Sequence, residues 1–151
     1  MKNFNLLAGL GGAIVITLLN ESLKRVHKNT PRLDLLGKEA VQKSSEFVGF
    51  PIKNEESLYT TSIMADLVTN TLYYGMISGE GKKLWGNAAS AGILAGIGGI
   101  TIPQKIGLDD RPVTKSLSTK VLTVTYYAIG AFATAGIIHF FQKNQTHSDF
   151  T

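Results

Sequence analysis

The sequence predicts an all-α protein: an integral membrane four-helix bundle with an additional cytoplasmic interfacial amphipathic helix. Three observations predict it. Four mainly apolar stretches each approach the roughly 20 residues that a helix needs to cross about 30 Å of hydrocarbon. Charged residues are concentrated between these stretches. The longest link repeats apolar residues at helical spacing, and the length of 151 residues suits a single domain.

Composition narrows the classes of site and partner. The chain has no cysteine, which excludes disulfides and thiolate metal sites. Its mean hydropathy of +0.10 is an average over very apolar and very charged stretches. The net charge of +4 would also suit a nucleic-acid binder. However, the basic residues flank apolar segments instead of forming a face with aromatic residues, so no nucleic-acid partner is expected.

The first apolar segment spans residues 4–23 and carries no charged residue before Glu21. Gly9 and Gly12 belong to pairs of small residues four apart, which let a second helix approach closely. A charged stretch beginning at Lys24 follows without a cleavage motif. We therefore expect an uncleaved first membrane helix instead of a removed signal peptide.

The link after this segment contains the predicted amphipathic helix, at about residues 31–48. Thr30 is expected to cap it and Pro31 to occupy its first position. Phe47 and Val48 complete an apolar stripe opposite charged residues. This pattern is typical of a helix lying flat among lipid headgroups, and equally of a helix packed on the end of the bundle.

The second segment, residues 58–77, is the most polar of the four. Its polar residues recur at helical spacing and share one face, while apolar residues occupy the other. Asp66 is the sharpest candidate for function, because a carboxylate within a membrane is costly and normally faces the protein interior. It either binds a cation or proton, or holds helices together by hydrogen bonds. The predicted polar intramembrane face consists of Ser62, Asp66, Thr69, Asn70 and Tyr73.

The third segment, residues 84–102, is rich in glycine and alanine. Gly92 and Gly96 form another small pair, and the cost of glycine in a helix can be offset by close helix contact in lipid. Pro103 is expected to end the helix. Only residues 78–83 separate this segment from the second one, which predicts a tight hairpin.

The fourth segment spans residues 117–141, with Lys120 near its start as its only Lys, Arg, Asp or Glu residue. Ala131 and Ala135 are spaced for helix packing. A hypothesis of internal duplication also arises, because the glycine motif of segment one and a Tyr-Tyr pair recur in the second half. Chance similarity between glycine-rich helices is the alternative.

Basic residues are distributed unequally over the two ends of the predicted bundle. The excess predicts that both termini lie outside the cytoplasm and that the long link lies inside it. A cluster formed by Lys24, Arg25, Lys28 and Arg32 is expected to contact anionic lipid headgroups. Eleven of the fifteen Lys and Arg residues fall on the side of this link: Lys24, Arg25, Lys28, Arg32, Lys38, Lys43, Lys53, Lys105, Arg111, Lys115 and Lys120.

Catalytic and metal-binding patterns are missing from the sequence. His27, His139 and His147 have no paired spacing that would suggest a metal site. No nucleophile elbow or phosphate-binding loop occurs, so neither a catalytic residue nor a cofactor is expected. An enzyme acting on lipid headgroups would have only His27, Arg32 and Asp34 to use.

The stretches Glu21–Arg25 and Pro31–Gly37 resemble a segment of small bacterial integral membrane proteins of uncharacterised function. The resemblance implies a bacterial inner-membrane location and brings no activity. The first functional hypothesis is a non-enzymatic membrane component, either a homo-oligomer or an accessory subunit of a larger complex. The alternative is a small channel or transporter for a cation, proton or small solute that uses Asp66.

Overall fold

The computed structural model describes residues 2–148, with side chains from 4 to 145. Within that part of the chain every regular element is a helix, so the predicted all-α class is confirmed. The helices are α1 (Lys2–Leu23), α2 (Leu33–Phe47), α3 (Glu55–Tyr74), α4 (Gly81–Lys105), α5 (Arg111–Thr114) and α6 (Leu117–Ser148).

Helices α1, α3, α4 and α6 occupy the four apolar segments with shifted ends. Helix α3 begins before residue 58 because the Asn54 side chain accepts the Ser57 N–H at 2.9 Å and caps the first turn. The prediction that Pro103 ends α4 was wrong by two residues. A proline in the last turn removes one backbone donor only, and the Leu108 N–H still bonds the Pro103 carbonyl at 2.9 Å.

Helix α2 begins later than predicted. Thr30 and Pro31 precede it, Arg32 occupies the N-cap position without a side-chain capping bond, and Leu33 is the first helical residue. The reason is tertiary: the side-chain carbonyl of Asn20 on α1 accepts the Leu33 N–H at 3.1 Å. A neighbouring helix thus satisfies a donor that a local cap would otherwise take.

The four long helices pack in the order α3–α1–α6–α4. Helix α1 packs on both α3 and α6, and α4 packs on α6. The chain runs alternately up and down, so the start of α1 and the last part of α6 lie at the same end of the bundle, here called the terminal end. There the ring centroids of Phe4 and Phe141 are 4.2 Å apart. At the other end (the loop end), the Thr119 hydroxyl donates to the Asn29 carbonyl at 2.9 Å. Helix α2 lies along α3 at the loop end and also contacts α1 and α5.

This order bears on the duplication hypothesis. A two-fold axis exchanging the α1–α3 pair with the α4–α6 pair would convert the α1–α6 contact into an equivalent α3–α4 contact. Helices α3 and α4 instead stand at opposite ends of the row and pack sparsely, with Tyr73 on α3 donating to the Ala91 carbonyl on α4 at 2.8 Å. The packing therefore lacks the two-fold symmetry that two duplicated hairpins would give.

Glycines and alanines lie where the long helices approach each other most closely. A methyl group added at Gly9 would stand 2.5 Å from the Thr71 carbonyl oxygen on α3, and one added at Gly92 would stand 2.6 Å from the Ala128 Cα on α6. Ala131 and Ala135 on α6 are fully buried. Backbones this close leave no room for larger residues.

The interior contains several hydroxyl groups, and large apolar side chains are exposed on all four long helices. Tyr74 is fully buried against Gly12 and Gly130, and its hydroxyl donates to the Tyr127 carbonyl at 2.9 Å. The hydroxyls of buried Thr123 and Thr134 bond carbonyls one turn earlier on α6. In the described chain, two helical stretches are long and apolar enough to cross a membrane, namely Phe4–Leu23 and Leu117–Gln145.

Candidate functional site: a polar cavity at Asp66

A cavity of about 200 Å³ lies among α1, α2 and α3 toward the loop end. Tyr127 of α6 also lines it. Three consecutive helices and one residue of the distant helix α6 therefore contribute to one site. The polar residues that line the cavity are Thr17, Asn20, Glu21, Asp34, Ser62, Asp66, Asn70 and Tyr127.

Asp66 is the unpaired charged group of this cavity. Among the described residues, no donor lies within hydrogen-bond distance of its carboxylate and no basic side chain pairs with it. Its Oδ2 atom points at α2, where a methyl group added at Gly37 would stand only 2.8 Å away. Gly37 therefore provides the space that the carboxylate occupies.

The other two carboxylates of the cavity are paired. Asp34, which is 7% exposed, accepts two hydrogen bonds from the Arg32 guanidinium, at 2.9 and 2.7 Å. Glu21 accepts a hydrogen bond from Lys24 at 2.7 Å and another from the Tyr59 hydroxyl. Lys24 also lies 3.7 Å from Asp34, so two cations balance two anions.

These contacts change the pKa of Asp34. Burial works to raise the pKa of this carboxyl, but the Arg32 hydrogen bonds and the positive charges of Arg32 and Lys24 outweigh burial. The net result is a pKa below the ordinary value for aspartate, so Asp34 is ionised at neutral pH. Its charge is matched by Arg32, which leaves Asp66 without a matching cation.

The structure divides the predicted polar face of α3. Ser62, Asp66 and Asn70 line the cavity together. Thr69 lines a separate groove between α2 and α3, and Tyr73 faces α4 through its bond to the Ala91 carbonyl. Three of the five residues therefore meet in one place.

The groove between α2 and α3 has a volume of about 600 Å³ and meets the cavity at Asp66. Gly37 and Ala40 of α2 line both spaces. Elsewhere the walls of the groove are mainly apolar or carry hydroxyls; they include Val41, Val48, Ile52, Thr61 and Ala65. Asp66 thus stands between a cavity that holds two further carboxylates and a groove that is lined by no other charged side chain among the described residues.

The predicted basic cluster is also divided. Lys24 and Arg32 belong to the ion network just described. Arg25 and Lys28 are exposed and form no ion pair with any described residue. These two side chains are accessible to a headgroup, whereas the other two already have protein partners.

The histidines do not assemble a site within the described side chains. His27 is exposed and its Nδ1 accepts the Asn29 N–H at 3.2 Å, while Arg32 and Asp34 bond each other. His139 lies beside Trp85 at a ring distance of 6.2 Å, and the His147 side chain is outside the described set. No group of three or more His, Cys, Asp or Glu side chains there is arranged to hold a metal ion.

Sequence reasoning missed the contributions of Asn20, Gly37 and Tyr127 to this site. A lone asparagine in an apolar helix is a detectable signal, because such a group needs a partner. Nothing local marks Gly37, whose role exists only because α2 packs against Asp66.

No family model, curated protein or solved structure matches this chain. The geometry of the site is therefore the basis for assigning a function.

Proposed function

We propose that the protein is a four-crossing membrane protein that binds a cation or a proton at Asp66, as a small channel or transporter. The observation that carries the functional part is the unpaired Asp66 carboxylate in a cavity whose other charges are balanced. An uncompensated charge within a low-dielectric bundle is costly, so this carboxylate must take up a proton or a counter-cation.

The distribution of apolar side chains supports four crossings. Each of the four long helices exposes an apolar stripe, whereas soluble monomers rarely expose contiguous apolar patches larger than a few hundred Å². Asp66 is the only Asp, Glu, Lys or Arg within residues 58–77, 84–104 and 121–142. The stripes consist of Leu7, Leu10, Ile14 and Leu18 on α1, Met64, Val68 and Leu72 on α3, Ile93, Leu94 and Ile97 on α4, and Val121, Ile129 and Phe132 on α6.

Buried hydroxyls give further support. Polar groups at helix contacts are expected in membrane bundles, where they bond backbone carbonyls or neighbouring helices. In this membrane setting, α2 lies at the headgroup level on the loop end, and exposed Arg25 and Lys28 face anionic lipid there.

The test is flux through the purified protein in liposomes. We expect wild-type vesicles to dissipate a pH gradient, or to exchange sodium, potassium or methylammonium for protons. Asp66→Asn should reduce that flux at least about tenfold, because the amide has the shape of the carboxylate without its charge. Glu56→Gln, a charge removal at an exposed position of the same helix, should leave the flux unchanged. Equal flux in wild type and Asp66→Asn would exclude the proposal.

A second candidate function is the non-enzymatic homo-oligomer or accessory subunit. It is favoured by glycines with open space beside them: a methyl group at Gly86 or Gly136 would meet nothing within 4 Å. Such positions allow a further helix to dock. A defined complex that persists in mild detergent and still forms with Asp66→Asn would support this function over transport.

A further inference from the structure

We propose that the ligand of Asp66 is an amphipathic amine, whose ammonium group lies at the carboxylate and whose apolar part lies in the groove between α2 and α3. This inference rests on the cation site proposed above and adds the chemical class of its ligand.

The inference starts from the position of Asp66 between two spaces. On one side lies the polar cavity of about 200 Å³, where Ser62 and Asn70 stand beside the carboxylate. On the other side lies the groove of about 600 Å³, where apolar and hydroxyl-bearing residues form the rest of the wall. A ligand that fills both must carry its charge at one end.

The polar side suits an ammonium group. A carboxylate without a protein partner offers a positive ligand both charge and acceptor atoms. Asn70 and Ser62 supply oxygens that can accept the remaining N–H donors of such a group. The neighbouring cations Lys24 and Arg32 are held by Glu21 and Asp34, so they do not compete for Asp66.

The groove suits the apolar part of the ligand. Val41 of α2, Val48 directly after α2, Ile52 and Ala65 of α3 all line it. The Val48 side chain is 64% exposed. Contact with the apolar part of a ligand would remove this apolar surface from water. A bare metal ion would leave this space unfilled and would gain nothing from its walls.

Gly37 and Ala40 connect the two spaces. Both residues line the cavity and the groove, and both have small side chains. A larger residue at Gly37 would contact the carboxylate directly, since even a methyl group would lie 2.8 Å from Oδ2. The small residues therefore let the Asp66 carboxylate lie at the boundary between the cavity and the groove.

The experiment measures binding of primary alkylammonium ions, from methylammonium to hexylammonium, to the full-length protein in lipid nanodiscs. Partition into lipid is subtracted with Asp66→Asn nanodiscs and with the matching neutral alcohols. We expect affinity to rise by up to about fourfold for each methylene that enters the groove.

Ala65→Leu tests the location of the apolar part. This change narrows the groove without touching the polar cavity, so it should flatten the dependence on chain length and leave methylammonium binding unchanged. Ala133→Leu, at a half-buried alanine of α6 outside both spaces, is the matched control and should behave as wild type.

The outcomes separate this inference from the proposed function. Affinity that depends on Asp66 but not on chain length would overturn the amphipathic ligand while leaving the cation site intact. Chain-length dependence that survives Ala65→Leu would equally overturn the assignment to the groove. Binding of no ammonium ion above the Asp66→Asn background would overturn the inference, and retained Asp66-dependent proton flux would then show that the proposed function still holds.

Discussion

Individual glycines of this protein act in two different ways, depending on what stands beside their Cα. Gly9, Gly92 and Gly96 lie against the backbone of another helix, where a side chain would force two helices apart. Gly37 lies against the Asp66 carboxylate, where a side chain would displace that carboxylate. The same residue type therefore serves helix packing in one place and, under the proposed function, ligand binding in another.

Alanine substitutions at Gly92 and Gly86 should distinguish the effect of close helix contact from the effect of intrinsic helix propensity. Gly92→Ala places a methyl group 2.6 Å from the Ala128 Cα, so α4 and α6 must move apart and the unfolding temperature in detergent should fall. Gly86→Ala on the same helix meets nothing within 4 Å and should be neutral or stabilising by up to about 1 kcal/mol. Equal unfolding temperatures for the two variants would contradict the packing of α4 on α6.

Substitution of Gly37 should affect binding more than stability. Gly37→Ala brings a methyl group to 2.8 Å from Asp66 Oδ2, and the carboxylate can rotate away, so the fold should tolerate the change. We expect cation affinity to fall by about tenfold, because the displaced carboxylate would lose roughly one charge-assisted hydrogen bond to the ligand. Calorimetric titration with methylammonium would measure it, with Gly86→Ala as control. Unchanged affinity would place the ligand away from α2.

Among the elements, α2 differs from the four long helices in how it is held. Three polar contacts attach it to other elements: Asn20 accepts the Leu33 N–H, the Glu39 carboxylate accepts the Asp109 N–H at 2.9 Å, and Lys43 donates to the Gly107 carbonyl. The apolar residues at its end, Phe47 and Val48, are exposed. Helix α2 packs on α3, with Leu33 against the buried core and Gly37 against Asp66, and it adds charge and hydrogen bonding to this packing.

These charged contacts predict that acid loosens α2. The pKa of Asp34 is lowered as described above, and the Lys43 hydrogen bond lowers the pKa of Glu39. A carboxyl whose pKa is lower in the folded state stabilises the fold at pH values above its unfolded pKa of about 4. That stability is lost as the pH falls through the folded pKa. Hydrogen exchange of α2 amides, corrected for intrinsic rates, should be slow from pH 7 to 5 and faster below about pH 4.

A variant isolates the contribution of Asp34 to this behaviour. Asp34→Asn should speed exchange in α2 already at pH 7, because Arg32 loses its buried partner, and should weaken the pH dependence. Asp110→Asn, at the start of α5, serves as the control. Identical exchange in wild type and Asp34→Asn would show that the ion network does not hold α2 in place.

For the whole molecule, the alternating direction of the helices separates charge between the two ends. Eleven of the fifteen basic residues lie at the loop end with α2, whereas Lys2, Lys82, Lys83 and Lys143 belong to the terminal end. Under the proposed four crossings, this bias orients the loop end toward the cytoplasm.

Cysteine labelling tests both the orientation and the number of crossings, since the chain has no cysteine of its own. Glu80→Cys in the α3–α4 turn should react with a membrane-impermeant maleimide on intact cells. Lys28→Cys at the loop end should react only after permeabilisation. If α1 and α6 alone cross the membrane, Glu80→Cys would instead be protected together with Lys28→Cys.

The all-α class and the approximate extent of the long helices were predictable from the sequence, because apolar runs and their periodicity are local properties. The sequence also singled out Asp66, since one carboxylate in an apolar stretch is conspicuous. The start of α2 at Leu33 was not predictable in this way, because the capping partner Asn20 belongs to another helix.

Packing of the helices set the order α3–α1–α6–α4 and placed Gly37 against Asp66. It also brought the two locally formed ion pairs, Glu21 with Lys24 and Arg32 with Asp34, to the same cavity as Asp66. Each of these depends on distances between residues remote in the chain, which periodicity and composition do not encode. The charge of Asp66 was therefore visible in the sequence, but its lack of a partner emerged only when the helices were packed together.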